Sequence, residues 1–230
     1  PLVSLVDTAF VGQLGRVPLA ALGINTSVFA LTFVVFNFLA YGTTPRVGRA
    51  LGRGDRAEAG RVVLRAFVLA GAAGVVALAL LQAFAVPILR AMGATDALLT
   101  SALGYLRIRA CAGPAVLLLT AAHGAFRGFQ DTRTPFVVTL GLNAVNLALD
   151  PLLIFGLGWG LVGAATATLV AQWAGALVFV VLLLGPRGRR RYGIVLAMPS
   201  LRSLAPFLRV GRDLVVRTGA LVGTTTLATA

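Results

Sequence analysis

Long apolar runs alternate with short charged stretches along this chain, and the runs have the length of membrane spans. Nearly uncharged segments cover residues 17–41, 66–86, 110–126, 135–155 and 161–184, each near the roughly 20 residues an α-helix needs to cross hydrocarbon. Five full spans are expected. A further, first span is implied by PLVSLVDTAFVGQLG, which is too short to cross alone, and a seventh by the apolar run beginning near Leu214. Both ends read as cut, because the chain opens on Pro1 instead of Met.

The stretches between the runs predict the connections. RVGRALGRGDRAEAGR reads as a charged helical loop between spans two and three. VPILRAMGATDALLTSALGYLRIR reads as a short amphipathic piece between spans three and four, with Thr95 as its N-cap. FRGFQDTRTP turns the chain into span five, where Pro135 suits a helix start. FGLGWGLVG is a glycine-rich turn between spans five and six that puts Trp159 at interfacial depth. After Leu184 the character changes to GPRGRRRYG and then to a basic amphipathic segment over 201–212. The expected organisation is an all-α, six-helix membrane bundle over 1–184, a cytoplasmic basic linker over 185–212 and the start of a seventh span over 213–230.

Composition agrees: 58% of residues are hydrophobic, 12% are charged and the mean hydropathy is +0.93. A net charge of +13 would suit a nucleic-acid binder, but every one of the 20 basic residues is Arg and most lie between apolar runs, where orientation signals belong. Arg46, Arg49, Arg53, Arg56, Arg61 and Arg65 flank one loop; Arg127 and Arg133 flank the next but one; Arg187, Arg189, Arg190 and Arg191 open the last. The opposite loops hold Arg16, Arg90, Arg107 and Arg109. The positive-inside rule then makes loops 42–65, 127–134 and 185–212 cytoplasmic in a cell (inner) membrane, with the first span running outward. The lone Cys111 has no disulfide partner and reads as a packing residue.

Within the apolar runs, NAVNLALDP is the anomaly. Asn143, Asn146 and Asp150 are spaced i, i+3, i+7 and share one helix face. At about 1.5 Å per residue Asp150 falls about 9 Å below the outer end of span five, while Asp7 and Thr168 fall about 12 Å below the outer ends of spans one and six. Three polar groups therefore share one depth, and Tyr105 at the outer start of span four is placed to cover them. A carboxylate in hydrocarbon costs about 2.5 to 3.5 kcal/mol even on insertion scales, so two are retained with a compensating partner or for a task. Reversible protonation or Na⁺ binding at Asp7, Asp150 and Asn146 is one reading; a hydrogen-bond network pinning spans one, five and six is the other. Pro151, directly after Asp150, removes a backbone donor and predicts either a switchable bend or a static kink.

Other polar residues read more plainly. Arg107 and Arg109 are expected to snorkel to the outer interface, with a substrate-facing role as the second reading, His123 to be hydrogen-bonded near the inner one without a metal, and Asn25 and Asn37 to line a cavity or bond between helices. The GRGD at Gly52 to Asp55 superficially fits an intramembrane aspartyl protease, yet its neighbours Arg49, Arg53, Arg56 and Glu58 put it in a charged loop. With no Ser/His, Cys/His, zinc or phosphate-loop pattern, no enzyme and no cofactor are expected.

LVDTAFVGQLG, GRALGRGD, PILRAMGATDALLTSALGYLRIRACAGP, FRGFQDTRTP and NAVNLALDPLLIFGLGWGLVGAATATLVAQ together resemble the MATE (multidrug and toxic compound extrusion) transporters, most of all their DinF-like branch. The resemblance covers the whole chain. It implies the N-terminal lobe of a two-lobe transporter, with its own C-terminal lobe as partner, in a protein that exchanges H⁺ or Na⁺ for organic, often cationic, drugs by alternating access. It implies a cation site at Asp7, Tyr105, Asn146, Asp150 and Thr168. It departs from the family pattern on span four, where Thr120 and His123 stand in place of further asparagines. Protonation of the two aspartates would weaken their hold on a cationic drug and favour a bent first span. A related exporter that flips a lipid-linked or amphipathic metabolite is the alternative. Carboxylate, amide and hydroxyl oxygens suit H⁺ and Na⁺ equally.

Overall fold

A computed structural model describes residues 2–195 together with 209 and 211; of residues 2–5 only the backbone is described. Among the described residues the chain is helical without a strand. Helix α1 is Leu2–Gly12, α2 Arg16–Val34, α3 Phe38–Gly52, α4 Arg56–Ala83, α5 Ala85–Ala91, α6 Asp96–Ala110, α7 Gly113–Gly128, α8 Arg133–Pro151, α9 Gly160–Leu184 and α10 Pro186–Tyr192. One 3₁₀ turn joins α2 to α3, so the second span runs 37 residues from Arg16 to Gly52. The spans Arg56–Ala83, Arg133–Gly156 and Gly160–Leu184 hold 28, 24 and 25 residues.

The fourth span differs from the expected 110–126. Helices α6 and α7, which meet at a 48° bend, are together long and apolar enough for one broken span, and this takes in the stretch from Asp96 to Arg109 that was expected as an outer amphipathic piece. Pro114 explains the break: it has no N–H to give and its ring excludes the carbonyl one turn back. The carbonyls freed there find side-chain donors on two neighbouring helices. Gln82 Nε2 on α4 donates to Arg107 O at 2.9 Å, and Trp173 Nε1 on α9 donates to Cys111 O at 3.1 Å. A backbone break at membrane depth is tolerated only when it is satisfied in this way.

Lipid tails are as apolar as leucine, so close packing of small residues, not hydrophobic exclusion, holds such helices together. Helix α7 sits centrally and buries Ala115, Ala121, Ala122, Gly124 and Ala125. A Cβ at Gly124 would stand 2.9 Å from Ala40 Cα on α3, so glycine is needed for that approach. Gly163 on α9 lies as close to the backbone of Leu153, just beyond α8.

Loops follow the expected chemistry with shifts of detail. Asp55 caps α4, its Oδ1 accepting from Glu58 N at 2.8 Å, and Glu58 pairs with Arg61 and Arg65. Helix α8 starts at Arg133, ahead of Pro135, and is capped by Asp131, which accepts from Thr134 N at 3.0 Å and Thr134 Oγ1 at 2.7 Å. Thr95 occupies the N-cap position of α6 without a side-chain capping bond. Of the expected linker, α10 packs on α4 and α9, with Tyr192 buried against Phe126 and Phe129. The rest of the linker, apart from 209 and 211, and the expected start of a seventh span over 213–230 lie outside the described residues.

Candidate functional site

Five helices enclose a polar cavity of about 250 Å³. Helix α1 contributes Asp7 and Thr8; α2 contributes Leu22, Thr26 and Phe29; α6 contributes Tyr105 and Arg109; α8 contributes Asn143 and Asn146; α9 contributes Thr168 and Gln172. Asp150 does not line this space. It is fully buried one turn beyond Asn146, with its carboxyl within hydrogen-bonding reach of Asp7. The structure thus brings all six of Asp7, Tyr105, Asn143, Asn146, Asp150 and Thr168 to one place, five on the cavity wall and Asp150 behind Asp7.

Their partners are incomplete. Asp7 Oδ1 and both oxygens of Asp150 are buried without a hydrogen-bond donor among the described residues, and the Asn146 amide nitrogen is buried without an acceptor. Unpaired buried polar groups are rare because each costs roughly 1 to 3 kcal/mol. The hydroxyls do not fill the gap: Thr26 Oγ1 donates to Leu22 O at 2.8 Å and Thr168 Oγ1 to Ala164 O at 3.0 Å, each within its own helix. Both threonine oxygens keep free lone pairs towards the cavity.

Pro151 ends α8, and the next five residues, Leu152–Gly156, form a π-helical turn. Asp150 therefore sits where regular α-helical bonding stops. The positive φ of Gly158 (68°) and Gly160 (53°) lets the chain reverse into α9 within a few residues.

Arg109 corrects the expectation of an interfacial, snorkelling residue. Its Nη1 donates to Gln172 Oε1 at 2.9 Å, its guanidinium lies 5.0 Å over the Phe29 ring, and its Nε is buried without an acceptor. Tyr105, buried on the same helix face, places its hydroxyl against that guanidinium. Thr8, Thr26, Phe29 and Gln172 line the cavity without having been read from the sequence, and Arg109 takes the second of the two readings the sequence left for it. The signal was present in the spacing, since Arg109 follows Tyr105 by four residues.

The remaining polar residues lie elsewhere. Asn25 is fully buried and its Nδ2 donates to Ala21 O and, across to α6, Ala102 O, which is interhelical bonding. Asn37 is exposed in the 3₁₀ turn. His123 Nε2 pairs with Thr139 Oγ1 at 3.1 Å, and Thr120 bonds within α7.

The MatE family profile matches residues 1–152, well over half of the chain. The chain belongs to the MatE family. It is 36% identical over 244 residues to Protein DETOXIFICATION 44, chloroplastic, of Arabidopsis thaliana, covering all of this chain and 45% of that protein. It is 32% identical over 180 residues to DNA damage-inducible protein F of Escherichia coli, covering 77% of this chain and 40% of that one. A solved outward-facing multidrug resistance MATE family transporter superposes with a TM-score of 0.84 at 29% identity, over 91% of this chain and 47% of the other. The chain thus spans about half the length of the proteins it matches, and it is a membrane transporter-family member, not an enzyme.

Proposed function

We propose that this lobe works in a secondary active antiporter that exports organic, often cationic, compounds in exchange for H⁺ or Na⁺ by alternating access. One observation carries the reading: two carboxyl groups on different helices, Asp7 and Asp150, meet in the interior of a membrane bundle beside a polar cavity. Two carboxylates have no donor between them. A shared proton, or a Na⁺ held with the Asn146 and Thr168 oxygens, supplies the missing partner, and a substrate cation competes for the same charge. Coupling ion and substrate then bind with reciprocal, negative linkage. The stop in α-helical bonding at Pro151 places a deformable element beside the titrating group. The arginine distribution supports a cytoplasmic side for the loops at 42–65, 127–134 and 185–212 in a cell (inner) membrane.

The test is Asp150→Asn in the full-length transporter, reconstituted in proteoliposomes with an imposed H⁺ or Na⁺ gradient. Gradient-driven export of an organic cation is expected to fall to background while insertion and yield stay normal. Undiminished export would contradict the antiport reading, and ion-independent lipid scrambling would support a flippase instead.

A further inference from the structure

Helix α9 and the short α10 that follows it form a surface far from the acid pair. On α9, Val170, Trp173, Leu177 and Val181 recur at i, i+3, i+7 and i+11, and all four are exposed. At 1.5 Å per residue this apolar row is about 16 Å long. Half the hydrocarbon core of a bilayer is about 15 Å thick, so the row has the length of one leaflet's acyl chains. At its arginine-rich end the row stops under α10. Gly188 packs onto the Leu182 carbonyl, where a Cβ would clash, so α10 doubles back over the last turn of α9.

The docking splits α10 into two faces. Gly188 and Tyr192, four residues apart, are buried, with Tyr192 against Phe126 and Phe129. Arg187, Arg190 and Arg191, at i, i+3 and i+4, stay exposed on the other face. Arg191 has a local match, lying 5.4 Å over the Tyr192 ring and near Asp131. Arg187 and Arg190 meet no acidic side chain among the described residues, and Arg189 keeps a buried Nε without an acceptor. The chain that follows brings no counter-charge, since residues 196–212 carry Arg202, Arg209 and Arg212 and no acid. Unmatched positive charge therefore stands directly over an exposed apolar row.

We propose that α9 and α10 form a site for an anionic phospholipid of the leaflet on the arginine-rich side, with its phosphate on Arg187 and Arg190 and an acyl chain along the α9 row. Negative head and apolar tail match the two halves of the surface in order. The guanidinium fork suits phosphate oxygens, and a lipid with its own ammonium gains less from the same arginines. This site stands apart from the antiport reading and holds for any coupling ion.

The experiment places bimane on Val181→Cys in a Cys111→Ser background of the full-length transporter, reconstituted in phosphatidylcholine vesicles. Phosphatidylglycerol with brominated chains is titrated in, and quenching reports which lipid lies beside the row. Bimane on Val76→Cys, exposed on α4, reads the bulk lipid. Phosphatidylglycerol should be favoured at Val181 by about fivefold for each engaged arginine, so by about 25-fold for both. At Val76 the two lipids should be close to parity. Arg187→Gln with Arg190→Gln should bring Val181 to parity as well, while Arg49→Gln with Arg53→Gln, which removes the same charge from the end of α3, should leave its preference in place. Quenching by brominated phosphatidylcholine in every variant shows that the protein is folded and the row open to lipid. The proposal is overturned by equal preference at Val181 and Val76, by a preference that survives Arg187→Gln with Arg190→Gln, or by its equal loss in the α3 pair. Absence of quenching by either lipid at Val181 also overturns it, because protein would then cover the row.

Discussion

Tyr105 and Arg109 are four residues apart on α6, so a helix places them on one face. Tyr105 was assigned to the site from the sequence, and that same assignment carries Arg109 with it. What hid the arginine was its neighbour: Arg107 and Arg109 together lowered the local hydropathy and made the segment look interfacial. The acid stripe was legible for the opposite reason, because two amides and a carboxylate on one face of an otherwise apolar run stand out whether they bind an ion or pin the helices. Capping residues were legible only in part. Asp131, which the sequence reading did not name, supplies the side-chain bonds at the start of α8. Burial alone would raise its carboxyl, but the backbone and side-chain hydrogen bonds of Thr134, with Arg191 nearby, outweigh burial and hold it below the usual carboxylate range. A depressed folded-state value means stability that is present above the unfolded value and lost as pH falls through the folded one. Asp131→Ala should therefore cost about 1 kcal/mol at neutral pH, the usual worth of a helix cap. The gap to the parent should close in acid, which thermal unfolding in detergent at two pH values measures; a gap constant with pH would remove the charge from the account.

At the scale of elements, five full spans were readable from hydropathy, and the one misplaced boundary has a physical cause. A window centred on the run after Ala110 sees only α7, because α6 carries Asp96, Thr100, Tyr105, Arg107 and Arg109, of which Tyr105 and Arg109 line the cavity. Sequence cannot show that such polarity faces inward until the neighbouring helices are in place. The close approach of α9 to the end of α8 was equally invisible, since it depends on which glycine meets which backbone. A Cβ at Gly163 would stand 2.7 Å from the carbonyl carbon of Leu153, three residues after Asp150. Gly163→Val must push the two segments apart, an overpacking cost of roughly 1 to 3 kcal/mol. Because Asp150 is anchored just before that contact, the expected outcome is a lowered melting temperature together with weakened coupling-ion binding. Gly104→Val serves as the control, since only the Val162 side chain, at 3.9 Å, lies near it on the adjacent α9. Loss of stability in Gly163→Val without any change in ion binding would detach the turn from the site.

For the whole molecule, the arrangement is set by charge as well as packing. Ion pairs join Asp55 and Glu58 to Arg61, and Glu58 to Arg65, at one end of the bundle, the end where the arginines concentrate. The opposite end carries the turn near Met92 and the reversal at Trp159, which is half-exposed as an interfacial aromatic should be. If arginine bias sets the orientation, the acid pair lies nearer the outer face and the Arg-rich ends face the cytoplasm. That orientation is checked by single cysteines in a Cys111→Ser background. Arg53→Cys should react with a membrane-impermeant maleimide only after the membrane is opened, while Met92→Cys and Trp159→Cys should react in intact cells. Labelling of Arg53→Cys and Met92→Cys from the same side would break the alternation of spans. Labelling of all three with inside and outside exchanged would keep the fold but reverse the direction of transport, placing the acid pair near the inner face.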